Sequence, residues 1–280
     1  MKNPFTLPAG LHLTASGPWP FVTLRTYTIG GHRFVWIARS ERKGTVGSVR
    51  AQERGPLWRT PDYNRAVAAL FALGSLLFML GAALSLVPAS MAPPTAGINL
   101  VFFCGSVPFT IAAYLQHFQA ANAPEFTPGP DAANGRRRVA LIGWHPGSAG
   151  WWSTITQFVG TIDFNVNTFD ALHAPGGWPV QDVAIWVPGM LGSIMFLVSS
   201  YLAFIESSHS YWSWNPSSLT WQIVFANLAG SVAFMTASTL AYVPPGGGAA
   251  WIADVANVHL FVGGLGFLIG AALMIRESRR

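Results

Sequence analysis

Between Arg65 and Glu125 the chain carries no charged residue, and between Glu206 and Asp254 it again carries none. Uncharged stretches of that length, holding runs of roughly 20 apolar residues, match what a bilayer demands of a spanning helix. Charged residues make up 10% of the 280, where a soluble domain carries about 25%. The composition predicts an all-α, polytopic membrane bundle.

Six segments qualify as spans: 65–88, 97–119, 151–172, 184–206, 219–243 and 252–275. The basic residues orient them. Ten lie between Lys2 and Arg65, three at Arg136–Arg138, and the last three are Arg276, Arg279 and Arg280. The connections 89–96, 173–183 and 244–251 hold no Lys or Arg. Lys and Arg concentrate in cytoplasmic loops, so both termini are expected in the cytoplasm. Topology thus accounts for the net charge of +5, and no nucleic-acid partner is expected. The first residues lack the apolar run of a cleavable leader, which leaves insertion to the first internal span.

Residues 1–60 read as a basic cytoplasmic segment and 61–280 as the membrane domain. "FVTLRTYTIGGHRFVWIAR" alternates apolar and polar residues around Gly30-Gly31, the pattern of a β-hairpin. An isolated hairpin is marginal in water, so this one is expected to rest on the membrane surface or on a protein partner. Arg39, Arg42 and Lys43 are placed to meet anionic headgroups, or simply to fix topology.

Each span contains a glycine, a small residue after it, a phenylalanine four positions on, and a small or polar residue at the seventh. The glycines are Gly74, Gly105, Gly160, Gly192, Gly230 and Gly263. Positions zero, four and seven share one helical face, and small residues there let helices approach closely inside a bilayer. Successive glycines are 31, 32 and 33 residues apart within pairs but 55 and 38 between pairs. That spacing predicts three helical hairpins in one orientation, an internal repeat.

"FALGSLLFMLG", "GSVPFTIAAYLQ", "QFVGTIDFNVNTFDAL" and "LGSIMFLVSSYLAFIE" resemble segments of uncharacterised bacterial multi-span proteins of the YrhK-like kind. The resemblance covers roughly residues 60–275. It implies a bacterial inner-membrane location and supplies no reaction. Asp163 stands where that resemblance leads one to expect an apolar or aromatic residue.

The third span carries the chain's densest intramembrane polarity. On a helix Thr156, Gly160, Asp163, Asn167 and Asp170 fall within an arc of about 80°, on the glycine face. They are expected to point inward, as ionisable groups in membranes do. His259, on the glycine face of the sixth span, lies within about 3 Å of the depth of Asp163 at 1.5 Å rise per residue. Asp163, Asn167, Asp170 and His259 therefore form a candidate ion or ligand path, or else interhelical glue worth about 0.6 kcal/mol per hydrogen bond. Glu206, His209, Gln116 and His117 gather near the cytoplasmic boundary as an inner mouth or as interface. Asn227 reads as a packing residue, and Pro108 and Pro188 as sources of kinks.

Several chemistries are absent. The single cysteine, Cys104, excludes an internal disulfide and multi-cysteine metal sites. No lysine follows Lys43, which removes an intramembrane Schiff base, and there is no phosphate loop, HExxH or GxSxG. No catalytic residue, metal or cofactor is assigned. Three functions stay open: transport or ion response through the third span, a non-catalytic scaffold or partner-binding role, and an enzyme with a lipid or quinone site.

Overall fold

The computed structural model describes residues 12–45, 55–88, 90–124, 126, 138–174, 176–246 and 249–279. It is mostly helical with a small antiparallel sheet. Strands β1 (His12–Ser16), β2 (Leu24–Ile29) and β3 (His32–Ile37) lie in that order. Strands β2 and β3 form the expected hairpin. Ile29 pairs with His32 across Gly30 and Gly31, both left-handed at φ 57° and 81°, as a two-residue turn of this hand requires. The third strand, β1, had no clear signature in its five residues. A short helix α1 (Ala38–Lys43) follows the sheet.

The rest is built from α2 (Pro61–Ser85), α3 (Thr95–Ala121), α4 (Ala149–Leu172), a one-turn α5 (Trp178–Gln181), α6 (Val187–Ser208), α7 (Leu219–Leu240) and α8 (Ala250–Glu277). The opening helix of each hairpin has a hydroxyl cap: Thr60, Ser148 and Ser218 accept from the amides of Tyr63, Trp151 and Trp221. Between α5 and α6 the backbone takes a π turn over Asp182–Trp186, with the Val187 amide bonded to the Asp182 carbonyl. Pro188 has no N–H to offer the carbonyl of Ala184, so the slip in register coincides with a bond that proline forbids.

The long helices close into a ring: α2 packs on α3, α3 on α4, α4 on α6, α6 on α7, α7 on α8, and α8 back on α2. Within each hairpin the glycines meet face to face. A Cβ on Gly74 would lie 2.9 Å from the Gly105 carbonyl oxygen, one on Gly160 3.0 Å from that of Gly192, and one on Gly230 2.9 Å from that of Gly263. The residue after each glycine (Ser75, Ser106, Thr161, Ser193, Ser231, Gly264) packs deep between helices. Three of these seal seams between hairpins: Thr168 donates to Ser106 at 3.2 Å, Ser193 pairs with Ser238 at 2.6 Å, and Ser200 pairs with Ser231 at 2.6 Å. The phenylalanines converge on the axis. Phe78, Phe109, Phe164, Phe196, Phe234 and Phe267 form one cluster, with neighbouring ring centroids from 5.2 Å (Phe164–Phe196) to 6.5 Å (Phe196–Phe234).

Five of the ring helices are long and apolar enough to cross a membrane. Six spans were expected, and α4 accounts for the difference. At 24 residues it is long enough, but Asp163, Asn165, Asn167, Asp170 and four threonines lower its hydropathy.

Candidate functional site

The two ends of the ring differ. The sheet and α1 lie at the end where α2 starts and α3, α6 and α8 finish. There α1 inserts its cationic side chains beneath the bundle, with Arg39, Arg42 and Lys43 at 7%, 5% and 2% exposure. Arg39 forms two bonds to Glu277, at 2.5 and 3.1 Å, and Lys43 reaches the same carboxylate at 2.7 Å. Arg42 bonds Glu206 at 2.7 Å. The partner of these cations is therefore the bundle, where the sequence left open headgroup contact or a solvated segment that only fixes topology.

The receiving residues are related by the repeat. Gln119, Glu206 and Glu277 each stand fourteen positions after the glycine of their helix, and Asn64, Gly150 and Thr220 each stand ten before theirs. Gln119 donates to Asn64 at 2.9 Å and Thr220 to Glu277 at 3.3 Å. At Gly150 a Cβ would sit 2.3 Å from Glu206 Oε1, so only glycine leaves that carboxylate its place. Asn64 also donates to the Lys43 carbonyl at 2.9 Å, fixing the end of α1. Three cations face two carboxylates here. Burial, with the Arg39 and Arg42 guanidiniums adding repulsion, brings the Lys43 ammonium down to about 8 against the pull of Glu277.

His117 and His209, at this end, are both held by hydrogen bonds. His117 is fully buried, with Nε2 donating to the Ile142 carbonyl at 2.9 Å and Nδ1 3.1 Å from the Thr154 hydroxyl. His209, in the left-handed conformation just past α6, ties the sheet down through Nδ1 and the Thr23 hydroxyl at 2.9 Å. Burial pushes the His209 imidazole below its ordinary 6.5, and Glu206 only partly offsets this. The unfolded chain then takes up a proton first as pH falls through 6.5, so this share of stability is whole above that value and lost below it. The unfolding temperature should fall more steeply between pH 6.5 and about 5 in the native protein than in a His209→Asn variant.

At the other end the ring opens into a cavity of about 470 Å³. Phe78 and Phe164 of the aromatic cluster line its base, and α3, α4, α6, α7 and α8 supply the walls. Asn167 reaches across to donate to the Ile185 carbonyl at 2.7 Å, over Gly189, where a Cβ would approach its amide nitrogen to 2.8 Å. Trp186 donates to the Ser238 carbonyl at 2.8 Å and stacks edge-on against Tyr242, with centroids 5.2 Å apart. Asp182, Asn99, Thr168 and Asn257 add polarity to a lining that is otherwise mostly apolar.

The candidate row of the third span divides. Asn167 lines the cavity, whereas Asp163, Asp170 and His259 do not. The Asp163 and Asp170 side chains are half-buried and make no hydrogen bond or ion pair among the described residues. His259 donates from Nδ1 to the Val255 carbonyl of its own helix at 2.8 Å. Since α4 and α8 hold opposite places in the ring, equal depth does not bring Asp163 and His259 together. Asn227 is a packing residue as expected, lying where a Cβ on Gly270 would come within 2.2 Å of its oxygen. Asp182 and Trp186 were missed. Their signal was a polar pair, Gln181-Asp182, at the head of a span that also carries a proline, and it read as loop.

Fold and site together define a helical membrane protein, sealed by aromatic side chains at mid-height and hollowed at one end. No family model, curated protein or solved structure matches this chain.

Proposed function

We propose that the chain is a six-span inner-membrane protein with cytoplasmic termini that binds a small, mainly apolar ligand in its outward-facing cavity. That all six ring helices cross is supported by the outer face of α4. Val159, Ile162, Val166 and Phe169 are 42–57% exposed, like the lipid-ready aliphatics of the other helices. Orientation rests on the absence of Lys and Arg from 86–94, 173–177 and 241–249 at the cavity end.

The cavity itself carries the functional reading. Its 470 Å³ falls within the roughly 300–1,000 Å³ of small-molecule sites, which are typically apolar with a few convergent polar groups. An ion path along the third span has less support, because only Asn167 of that row faces the hollow and the phenylalanine cluster closes the axis beneath it. Transport would require that cluster and the α1 contacts to part.

The test is saturable binding of 4-phenylbutanol to the full chain in lipid nanodiscs, with empty nanodiscs subtracted. Ala256 is buried in the cavity wall at 6% exposure. Ala256→Phe should abolish binding while leaving the unfolding temperature near that of the native chain, and Ala253→Phe serves if the first variant fails to fold. Equal binding by native and filled proteins would refute the reading.

A further inference from the structure

We infer that the cavity selects a ligand with a protonated amine attached to an apolar body, and that Asp182 receives the ammonium group. This rests on the cavity being a ligand site and names the class that the site takes.

Asp182 lines the cavity at 8% exposure. Among the described residues its side chain has one hydrogen bond, a long 3.4 Å contact from the Val243 amide to Oδ1, and no cation within ion-pair distance. None of the described lining side chains is Lys, Arg or His. A sequestered carboxylate without a counter-charge is costly to hold, and a ligand cation would relieve that cost. At the inner end of the same bundle Glu206 and Glu277 are both paired with cations of α1. Among the described residues Asp182 has no such partner.

The surroundings suit an ammonium. Trp186 and Tyr242, in contact with each other, line the same cavity as Asp182, and aromatic faces attract desolvated cations. Asp182 opens the π turn and Trp186 closes it, so the irregular backbone carries both groups. Such turns occur often at binding sites because they re-aim side chains within an otherwise regular helix. Phe78, Phe102, Phe164 and Leu260 offer the apolar body its contacts.

The probes are 4-phenylbutylamine, 4-phenylbutanol and 4-phenylbutyrate, compared in nanodiscs of zwitterionic lipid so that the bilayer does not itself concentrate the cation. The amine should bind at least about tenfold more tightly than the alcohol, and the carboxylate more weakly than either. Asp182→Asn should bring the amine to the affinity that the same variant shows for the alcohol, while Asp182→Glu should keep the preference. Equal affinity for amine and alcohol in the native chain, or a preference that survives Asp182→Asn, would overturn the inference while the cavity reading stands. Loss of saturable binding for all three probes would overturn both.

Discussion

Replacing Phe234 by alanine should cost about 3 kcal/mol, at the low end of the range for emptying a buried aromatic position. The low end applies because lipid is as apolar as the core. Only packing and the residual void are lost, not transfer from water. Phe234 is 2% exposed and its ring meets Phe78, Phe164, Phe196 and Phe267, so neighbours held by one another cannot collapse into the gap. Phe103, whose ring meets Phe169 on the outer side of α3 and α4, should lose less than about 1 kcal/mol on the same change.

The glycine beneath gives the complementary experiment. A Cβ at Gly263 would lie 2.1 Å from Phe234 Cδ1, so Gly263→Ala overfills the site that Phe234→Ala empties. Overpacking costs about 1–3 kcal/mol, and the double variant should be less damaged than the sum of the singles. Unfolding in mild detergent with graded denaturant measures all three. Strict additivity would mean that the ring and the glycine do not share the space the geometry assigns them.

Much of this architecture was legible because its cause is local. A glycine, a phenylalanine four residues later and near-uniform spacing within pairs are enough to write three hairpins, and the glycines do meet in those pairs. Convergence of all six phenylalanines was not legible. Periodicity places a side chain on a face, but only ring closure turns six faces toward one axis. The same limit explains Asp163 and His259. Depth follows from rise per residue, whereas the order of helices around the ring does not, and these two stand across it. Lys43 and its neighbours looked like a surface cluster because their carboxylate partners, Glu206 and Glu277, lie more than a hundred residues away in sequence. Asp182 was hidden by a π turn, which leaves no periodic trace.

Glu277→Gln should release α1 from the bundle, at a cost of about 3–5 kcal/mol. The Glu277 carboxylate takes two bonds from Arg39, one from Lys43 and one from Thr220, so neutralising it leaves two buried cations without their counter-ion. Hydrogen exchange of the α1 amides should accelerate with the loss, while the aromatic core on the axis stays protected. Glu206→Gln strands Arg42 in the same way, but that guanidinium is already poorly served. Only Nη2 is bonded, and Nε and Nη1 are buried without an acceptor among the described residues. The Arg42–Glu206 pair is therefore the one that an apolar pair can replace. The double variant Arg42→Met, Glu206→Met should recover most of what either single change loses, because it removes both desolvation costs at once. If Glu277→Gln leaves α1 exchange unchanged, the buried charges do not hold the helix in place, and its docking must rest on Asn64, whose amide caps the Lys43 carbonyl.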